Sequence, residues 1–512
     1  MKSYSSKLFT CLSAYMVSNT LCLLQAQTSR PNILFIMSDD HAAQAISTYN
    51  SILAPVLPTP NLDRIAAEGV KINNCFATNS ISTPSRACIM TGQYNHKNGV
   101  YTLSDVLDAE LPTVSKELQK AGYQTAVFGK WHLGTEPQGF NYYNVFPGQG
   151  RYKNPLLIEK GNWDKGADGN PRTTEHKGHS TDVVADETIK YIESVSKDQP
   201  FFVMCHFKAP HRNWQPAERF KNLLEDVQVP EPANLLDSCI GKGEYAKYVK
   251  MYLEDMEQSD VKGKLPPANL PWQEKRHIIY QHYIKDYLRC IAGIDENVGR
   301  ILDYLDKNGL TENTIVVYTS DQGFFLGEHG MFDKRFMYEE TIRMPLLIRY
   351  PKKIKEGSVN DDIILNIDFA PFFLDCAGCE VPEYMQGKSF CDNLQGQTPH
   401  NWRKSMYYRY WMHWDYWHHA PAQYGIRTDR YKLIYFYNRS LGMKGSDDKP
   451  LEPNWELYDL KNDPMEMNNI YNQPQNLELI QRLKSELLLL KDKYDDKDDK
   501  YPVMMELNKK YW

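Results

Sequence analysis

Apolar positions along this chain fall into two rhythms. Through residues 28–384 they come as continuous runs of strand length: Ile33-Leu34-Phe35-Ile36-Met37, Phe201 to Phe207, and Thr314 to Ser320, with a further strand running from Gly122 into a glycine-punctuated loop that ends at Gly134. Runs without polar alternation are buried on both faces, the pattern of strands inside a parallel sheet covered by helices. Helical spacing lies between them. Asn61 to Gly69 is amphipathic, Leu111 to Leu118 carries a capped helix start, and His277 to Asn308 sets Tyr287, Cys290, Ile291, Ile294, Val298 and Ile301 at helical intervals. This alternation predicts an α/β sandwich with a mostly parallel or mixed sheet. The polar stretch from Ala217 to Gln273, with Pro266-Pro267, interrupts it and predicts surface helices and loops at a cleft entrance.

Over residues 385–512 the rhythm changes to short alternating strands at 405–410, 431–437 and 455–460, followed by an amphipathic helix from Leu477 to Leu490. Few strands under one helix predict a small α+β domain with an antiparallel sheet. The charge run Lys491 to Lys500 predicts a solvated face or tail.

The first 27 residues belong to neither pattern. Lys2 and Lys7 precede a patchy apolar run from Leu8 to Leu24, and Leu24-Gln25-Ala26 offers a small-residue cleavage site, which predicts a secretory signal peptide over residues 1–27. Ser13, Ser18, Asn19 and Thr20 leave that run too polar to span a membrane, so the mature protein is expected to be periplasmic or secreted. A lipid anchor on Cys11 or Cys22 is the weaker alternative, since neither stands in a small-residue context before a cleavage point.

Composition narrows the class. With 42% hydrophobic and 24% charged residues the chain is globular, and a net charge of -6 argues against nucleic-acid binding and gives no long-range pull on an anion. Anion recognition must therefore come from local basic clusters. Of the ten cysteines, eight lie beyond the leader, and only Cys376 and Cys379 stand close in sequence. Without a second such pair, packing is a better reading than metal binding or redox chemistry.

The chemistry gathers where the apolar runs end. Ile33 to Met37 leads into Ser38-Asp39-Asp40, and Thr314 to Ser320 into Asp321-Gln322. Two buried strands ending in such pairs supply four oxygen ligands for a hard divalent cation, calcium being the expected ion. Ser82-Thr83-Pro84-Ser85-Arg86 reads as a helix start, because Pro84 is tolerated there and Thr91-Gly92 supplies a stop. Ser82 then lies at a helix N-terminus, where free N–H groups and the nearby Arg86 favour an anion.

Ser82-Thr83-Pro84-Ser85-Arg86 with Thr91-Gly92 resembles the signature of the type I, formylglycine-dependent sulfatases. The resemblance implies an alkaline-phosphatase-like sandwich, a large mixed sheet between helices with a smaller C-terminal α+β domain. It also implies oxidation of Ser82 to Cα-formylglycine by a Ser-type, radical-class maturing enzyme. The hydrated aldehyde offers one hydroxyl to attack sulfur and a second to expel sulfate afterwards. Gly129-Lys130-Trp131-His132-Leu133-Gly134 and Lys208-Ala209-Pro210-His211 match two further elements of the family. By the same resemblance Lys130 polarises the hydrate, His132 orients it and accepts a proton, Lys208 and Lys334 hold sulfate oxygens, and His211 serves the departing alcohol oxygen. Asp39, Asp40, Asp321 and Gln322, with the modified Ser82, match the metal ligands, although Gln322 stands where many relatives carry Asn. His329 is expected near this wall without a fixed role.

Phe332 to Glu339 and Tyr424 to Ile434, including Arg427, are similar to N-acetylglucosamine-6-sulfatases and their glycosaminoglycan-acting relatives. The expected substrate is therefore a 6-O-sulfated N-acetylglucosamine in a glycosaminoglycan or mucin-type glycan, with N-acetylgalactosamine 6-sulfate open as the alternative. A phosphatase, a phosphonate hydrolase or a non-catalytic sulfated-glycan-binding protein are more distant readings. The run Trp411 to His419 is either a sugar-recognition wall built on Trp414, His418 and His419 or a buried seam between the domains.

Overall fold

The computed structural model describes residues 30–512, so the leader expected over residues 1–27 lies outside the described part. The elements that place the chemistry are strand β1 (Asn32–Ser38), helix α1 (Ser82–Thr91), strands β2 (Gln124–Gly129) and β3 (Phe201–Phe207), helix α2 (Trp272–Lys307), and strands β4 (Thr314–Ser320) and β5 (Arg343–Arg349). The strands form the middle of an eleven-stranded mixed sheet. β1 runs parallel between β3 and β4, β2 runs parallel outside β3, and β5 pairs antiparallel with β4.

Both faces of β1 are filled, which is why its sequence shows no alternation. Leu34 and Ile36 join the core that holds Tyr283, Ile284 and Tyr287 of α2. Ile33, Phe35 and Met37 join the opposite core with Phe369 and Phe373. Each such fully buried side chain contributes about 1.5–3 kcal/mol. Among the described residues no helix is long and apolar enough to cross a membrane.

Register carries the functional consequence. Ser38 lies level with both Phe207 and Ser320, and Gly129 with His206. The next residues, Asp39, Lys208, Asp321 and Lys130, therefore leave the sheet along one carboxyl edge, where open α/β sheets bind ligands.

The smaller sheet has four antiparallel strands in sequence order, β6 (Ser405–Tyr410), β7 (Gln423–Thr428), β8 (Tyr431–Phe436) and β9 (Asn454–Asp459), covered by helix α3 (Leu477–Lys493) through Ile480, Leu483 and Leu487. A single cluster joins this sheet to the larger one, since Phe76, Ile81, Cys88 and Tyr94 pack with Tyr407, Tyr408 and Tyr424.

Two expectations are corrected here. Of the stretch from Ala217 to Gln273, the last two residues open α2, and the rest forms only short 3-10 turns at Glu218–Phe220, Glu244–Lys247 and Leu253–Asp255 and packs inward through buried Tyr245, Met251 and Leu253. The run from Lys491 to Lys500 is not simply a solvated tail either. Lys491, Asp496 and Asp498 are buried: the two carboxylates pair with Arg409, which points out of β6 into the core, and Lys491 pairs with Asp498.

Candidate active site

Helix α1 presents the serine. Ile81 enters in extended conformation, Ser82 is the first helical residue, and all ten residues of the helix are buried. Gly92 ends it in the left-handed region at φ 66°, its N–H bonded to the Cys88 carbonyl. Ser82 Oγ donates to Asp39 Oδ1 at 3.1 Å. One turn on, Arg86 Nε donates to Asp321 Oδ2 at 3.1 Å and Nη1 to the Lys130 carbonyl at 2.7 Å, so this guanidinium ties the helix to two strand ends.

Around Ser82 Oγ the strand ends assemble carboxylates and amines away from water. Asp39, Asp40, Asp321 and Gln322 are fully buried. Lys130 Nζ bonds Asp39 and, at 2.6 Å, Gln149 Oε1. Lys334 Nζ donates 2.7 Å bonds to both oxygens of Asp40. Lys208 Nζ donates to the Gln149 carbonyl at 3.2 Å and lies 5.1 Å from the centre of the Tyr152 ring.

Burial dominates the electrostatics. It pushes Asp40 up to about 7 against the pull of Lys334, with Asp39 and Asp321 adding repulsion. Asp321 is likewise raised, by burial and then Asp39. Asp39 goes the other way, because Lys130, His211 and Arg86 together outweigh its burial. Burial lowers Lys130 and brings Lys208 down to about 8, the latter helped by the charge of Lys130.

Such a donor set fits a hard cation. Asp39, Asp40 and His211 bring one ligand atom each within 4.8 Å of one another. Asp321 Oδ1 accepts from the Asp40 N–H at 3.2 Å and from Gln322 Nε2 at 2.9 Å, Gln322 Nε2 also donates to Asp40 Oδ1, and Gln322 Oε1 is buried without a hydrogen-bond partner. Turning that amide over would direct its oxygen at the carboxylates, a position tolerable only with a cation between them.

Two histidines complete the basin. His132 Nδ1 lies 3.3 Å from Thr83 Oγ1, beside Ser82. His211 Nδ1 donates to the Arg212 carbonyl at 2.8 Å, leaving Nε2 facing Asp40 Oδ2 at 3.8 Å. Burial, then the charge of Lys130, holds both imidazoles well below the usual histidine range.

The structure thus brings together Ser82, Arg86, Lys130, His132, Lys208, His211 and Lys334 with Asp39, Asp40, Asp321 and Gln322. The expected sugar wall divides. His418 Nε2 faces Asp333 at 3.5 Å while its Nδ1 bonds Asp415 at 2.7 Å. Trp414 instead stacks on His419 at 4.9 Å and packs against Tyr248 of the inserted stretch, so these two belong to the seam. Arg427 is a correction: it is buried in a double hydrogen bond to Glu339, at 3.0 and 3.1 Å, over the Phe76 ring. With its fork fully engaged there, it has nothing to offer a sugar. His329 is buried against Asp237 at 2.8 Å and stays out of the basin wall.

Sequence reasoning passed over the residues beside its own choices. Asp333 and Arg335 flank Lys334, and both are held at positive φ, 75° and 91°. Non-glycine residues pay about 1–3 kcal/mol for such conformations and cluster at functional sites. Arg335 reaches Tyr410 Oη at 3.2 Å and Asp415 at 3.9 Å, joining the loop to His418. The signal was the charge triplet Asp333-Lys334-Arg335 itself. Gln149 carries no motif and becomes visible only through its contacts with Lys130 and Lys208.

Comparison with known proteins follows the same lines. A family model described as Sulfatase matches residues 31–379, and one described as N-sulphoglucosamine sulphohydrolase, C-terminal, matches residues 327–493. The N-acetylglucosamine-6-O-sulfatase of Bacteroides thetaiotaomicron is 41% identical over 99% of this chain and 94% of its own. A solved structure of a protein in complex with its substrate D-glucosamine-2-N,6-O-disulfate superposes with a TM-score of 0.82 at 41% identity, covering 92% of this chain and 99% of that one. The phosphonate monoester hydrolase of Agrobacterium radiobacter superposes with a TM-score of 0.72 at 20% identity over 91% of this chain and 96% of its own, a likeness of fold.

Proposed function

The chain belongs to the sulfatase family, with its alkaline-phosphatase-like fold, and from that premise we propose that it hydrolyses the 6-O-sulfate of a terminal N-acetylglucosamine in sulfated glycans. The observation that carries this reading is the position of Ser82 Oγ, 3.1 Å from Asp39 at a helix N-terminus, inside a basin of opposed charges. Similarity to a relative called N-acetylglucosamine-6-O-sulfatase supports the sugar.

Ser82, oxidised to formylglycine by a Ser-type maturing enzyme, would supply the hydrated aldehyde whose hydroxyl attacks sulfur. Calcium held by Asp39, Asp40, Asp321 and Gln322 would supply positive charge against the ester's oxygens. The remaining work falls to the chain's own side chains. Lys130 and Arg86 fix the group at position 82, and Lys208 and Lys334 neutralise sulfate oxygens as charge builds on them. A bound sulfate ester's negative charge offsets that of Lys130, so Nε2 of His211 can hold a proton and give it to the sugar oxygen as the S–O bond breaks. His132 receives the proton released when sulfate is expelled. Asp333, Arg335, Asp415 and His418 would bind the sugar hydroxyls at the mouth.

A primary 6-O-sulfate projects from its ring, which suits a recessed charge basin with the sugar outside. The reading includes export of the mature chain through the leader at residues 1–27. Its test is a panel of glucosamine, galactosamine and galactose monosulfates assayed for sulfate release with enzyme coexpressed with a Ser-type maturing enzyme. N-acetylglucosamine 6-sulfate is the expected preference. Preference for a galacto-configured, 2-O- or 4-O-sulfated sugar would overturn the substrate, and capture of sulfated sugar without release would overturn the activity.

A further inference from the structure

Two sulfurs far from the basin stand in contact. Cys376, the last residue of the helix Phe369–Cys376, and Cys391, the first of the short helix Cys391–Leu394, place their Sγ atoms 3.2 Å apart. Spacing in the sequence favours Cys379 as the neighbour of Cys376, but Cys379 Sγ lies beside the Ala377 carbonyl, 3.9 Å away. A metal site is the other use for such thiols. Among the described residues, however, only Asp39, Asp40 and His211 bring three ligand atoms together, so these cysteines do not assemble a metal-binding set.

We propose that Cys376 and Cys391 form a disulfide wherever the chain meets an oxidising thiol–disulfide environment. Reaching the bond length of about 2.0 Å takes roughly 1 Å of further approach, within reach of side-chain torsions. Both residues are partly exposed, and together with Tyr350, Lys353, Asp375 and Asp392 they line a cavity of about 140 Å³ that gives a reagent access. The oxidant is an external disulfide of the glutathione or dithiol-oxidoreductase class. One protein thiolate attacks it, its S–S bond breaks to give a mixed disulfide and one free thiol, and the second protein thiolate displaces the other half. Two protons and two electrons leave the cysteine pair, and the external disulfide is reduced to two thiols.

The bridge closes a segment with a defined task. Gln386 N and Gly387 N both donate to the Gly92 carbonyl, at 2.8 and 3.1 Å, capping the far end of the helix that begins at Ser82. Gln386 Oε1 accepts from Tyr94 N at 2.9 Å, and its Nε2 donates to the Tyr494 carbonyl at the end of α3. A cross-link at the base of this loop restricts its opening, and with it the loss of the brace between α1 and the C-terminal helix.

The test is a glutathione titration of the purified full-length protein, with thiols trapped at each ratio and the digest mapped by mass spectrometry without reduction. The expected product is a linked Cys376–Cys391 peptide pair lighter by two hydrogens, with a melting temperature higher by on the order of 5 °C. Cys391→Ala should melt at one temperature across all ratios, with sulfate release at ambient temperature unchanged. Free, alkylatable Cys376 and Cys391 under every oxidising ratio, or a Cys376–Cys379 link in their place, overturns the proposal. The wild-type titration decides this even where the variant folds poorly.

Discussion

Two of the places where the molecule buries charge are treated oppositely. In the C-terminal half, Arg409 Nη1 bonds both oxygens of Asp496 at 2.9 and 2.8 Å, Lys491 bonds Asp498 at 3.0 Å, and Asn508 and Tyr424 complete Asp498 at 3.0 and 3.1 Å. Aromatic faces close the rest, with the Arg409 guanidinium 3.6 Å from the Trp411 ring centre. Partners there outweigh burial: Asp496 and Asp498 are lowered and Arg409 is raised. In the basin burial outweighs partners for Asp40, Asp321, Lys130 and Lys208, so the same kinds of group are pushed toward their neutral forms. The first cluster's carboxylates are answered by fixed cations, while Arg409 Nε and Nη2 lie among aromatic rings without a hydrogen-bond acceptor. The second is finished by a cation and an anion, and that unmet demand is what binding and catalysis draw on.

The largest test of this contrast is Ser82→Ala, which removes the modified group and leaves the charges around it in place. Sulfate release should fall by at least about 10⁴-fold while stability drops by no more than about 1–3 kcal/mol, the cost of taking one donor from buried Asp39. Thermal melts beside a sulfate assay decide it, and a variant that melts early but turns over would reverse the contrast. His211→Ala comes next. Release from a sugar sulfate should fall about 10²–10⁴-fold, with a far smaller loss on an activated aryl sulfate whose leaving group departs without a proton. Equal losses on both substrates would reassign His211 to binding or to the metal, consistent with its 4.8 Å grouping with Asp39 and Asp40.

Asp496→Asn probes the other side. It leaves Arg409 buried with half its partner, at a cost of about 3–5 kcal/mol in stability. The folded fraction should turn over at the wild-type rate, read as kcat at a temperature below the variant's melt. Intact stability would mean that Asp498, 3.4 Å from Arg409 Nη1, and the aromatic faces already compensate the buried guanidinium.

Why the sequence disclosed one cluster and hid the other follows from chain distance. Asp39, Lys130, Lys208 and Asp321 each come directly after a strand, so strand ends and short motifs point to these four together. Arg409 and Asp496 are 87 positions apart, and a run such as Lys491 to Lys500 has the composition of a solvated helix end. Only the fold turns it inward. The same limit explains Arg427, chosen by similarity of its surroundings though its guanidinium is engaged by Glu339, 88 positions away. It explains Cys391 too, which is fifteen positions from its partner and outside any motif.

The smallest expected effect separates the clusters by the sign of a pH slope. Asp40 has a folded value of about 7 against 3.8 for an ordinary aspartate. Between those values the folded, metal-stripped protein keeps a proton that the unfolded chain has released, so this residue makes stability fall as pH rises across that window. Asp496 is lowered by Arg409 and Lys491 against its burial, so its contribution is present above 3.8 and is lost as pH falls toward its folded value. Melts of chelated wild type and Asp40→Asn from about pH 4 to 8 should therefore converge at the acid end and part toward neutrality, the wild type losing several degrees relative to the variant. Calcium should restore the wild type near neutral pH and do less for the variant, because the variant has lost a ligand charge and with it the repulsion that the ion relieves. Parallel curves for the two chelated proteins would mean that Lys334, through its two 2.7 Å bonds, already satisfies Asp40, and the basin would then be as closed as the cluster behind Arg409.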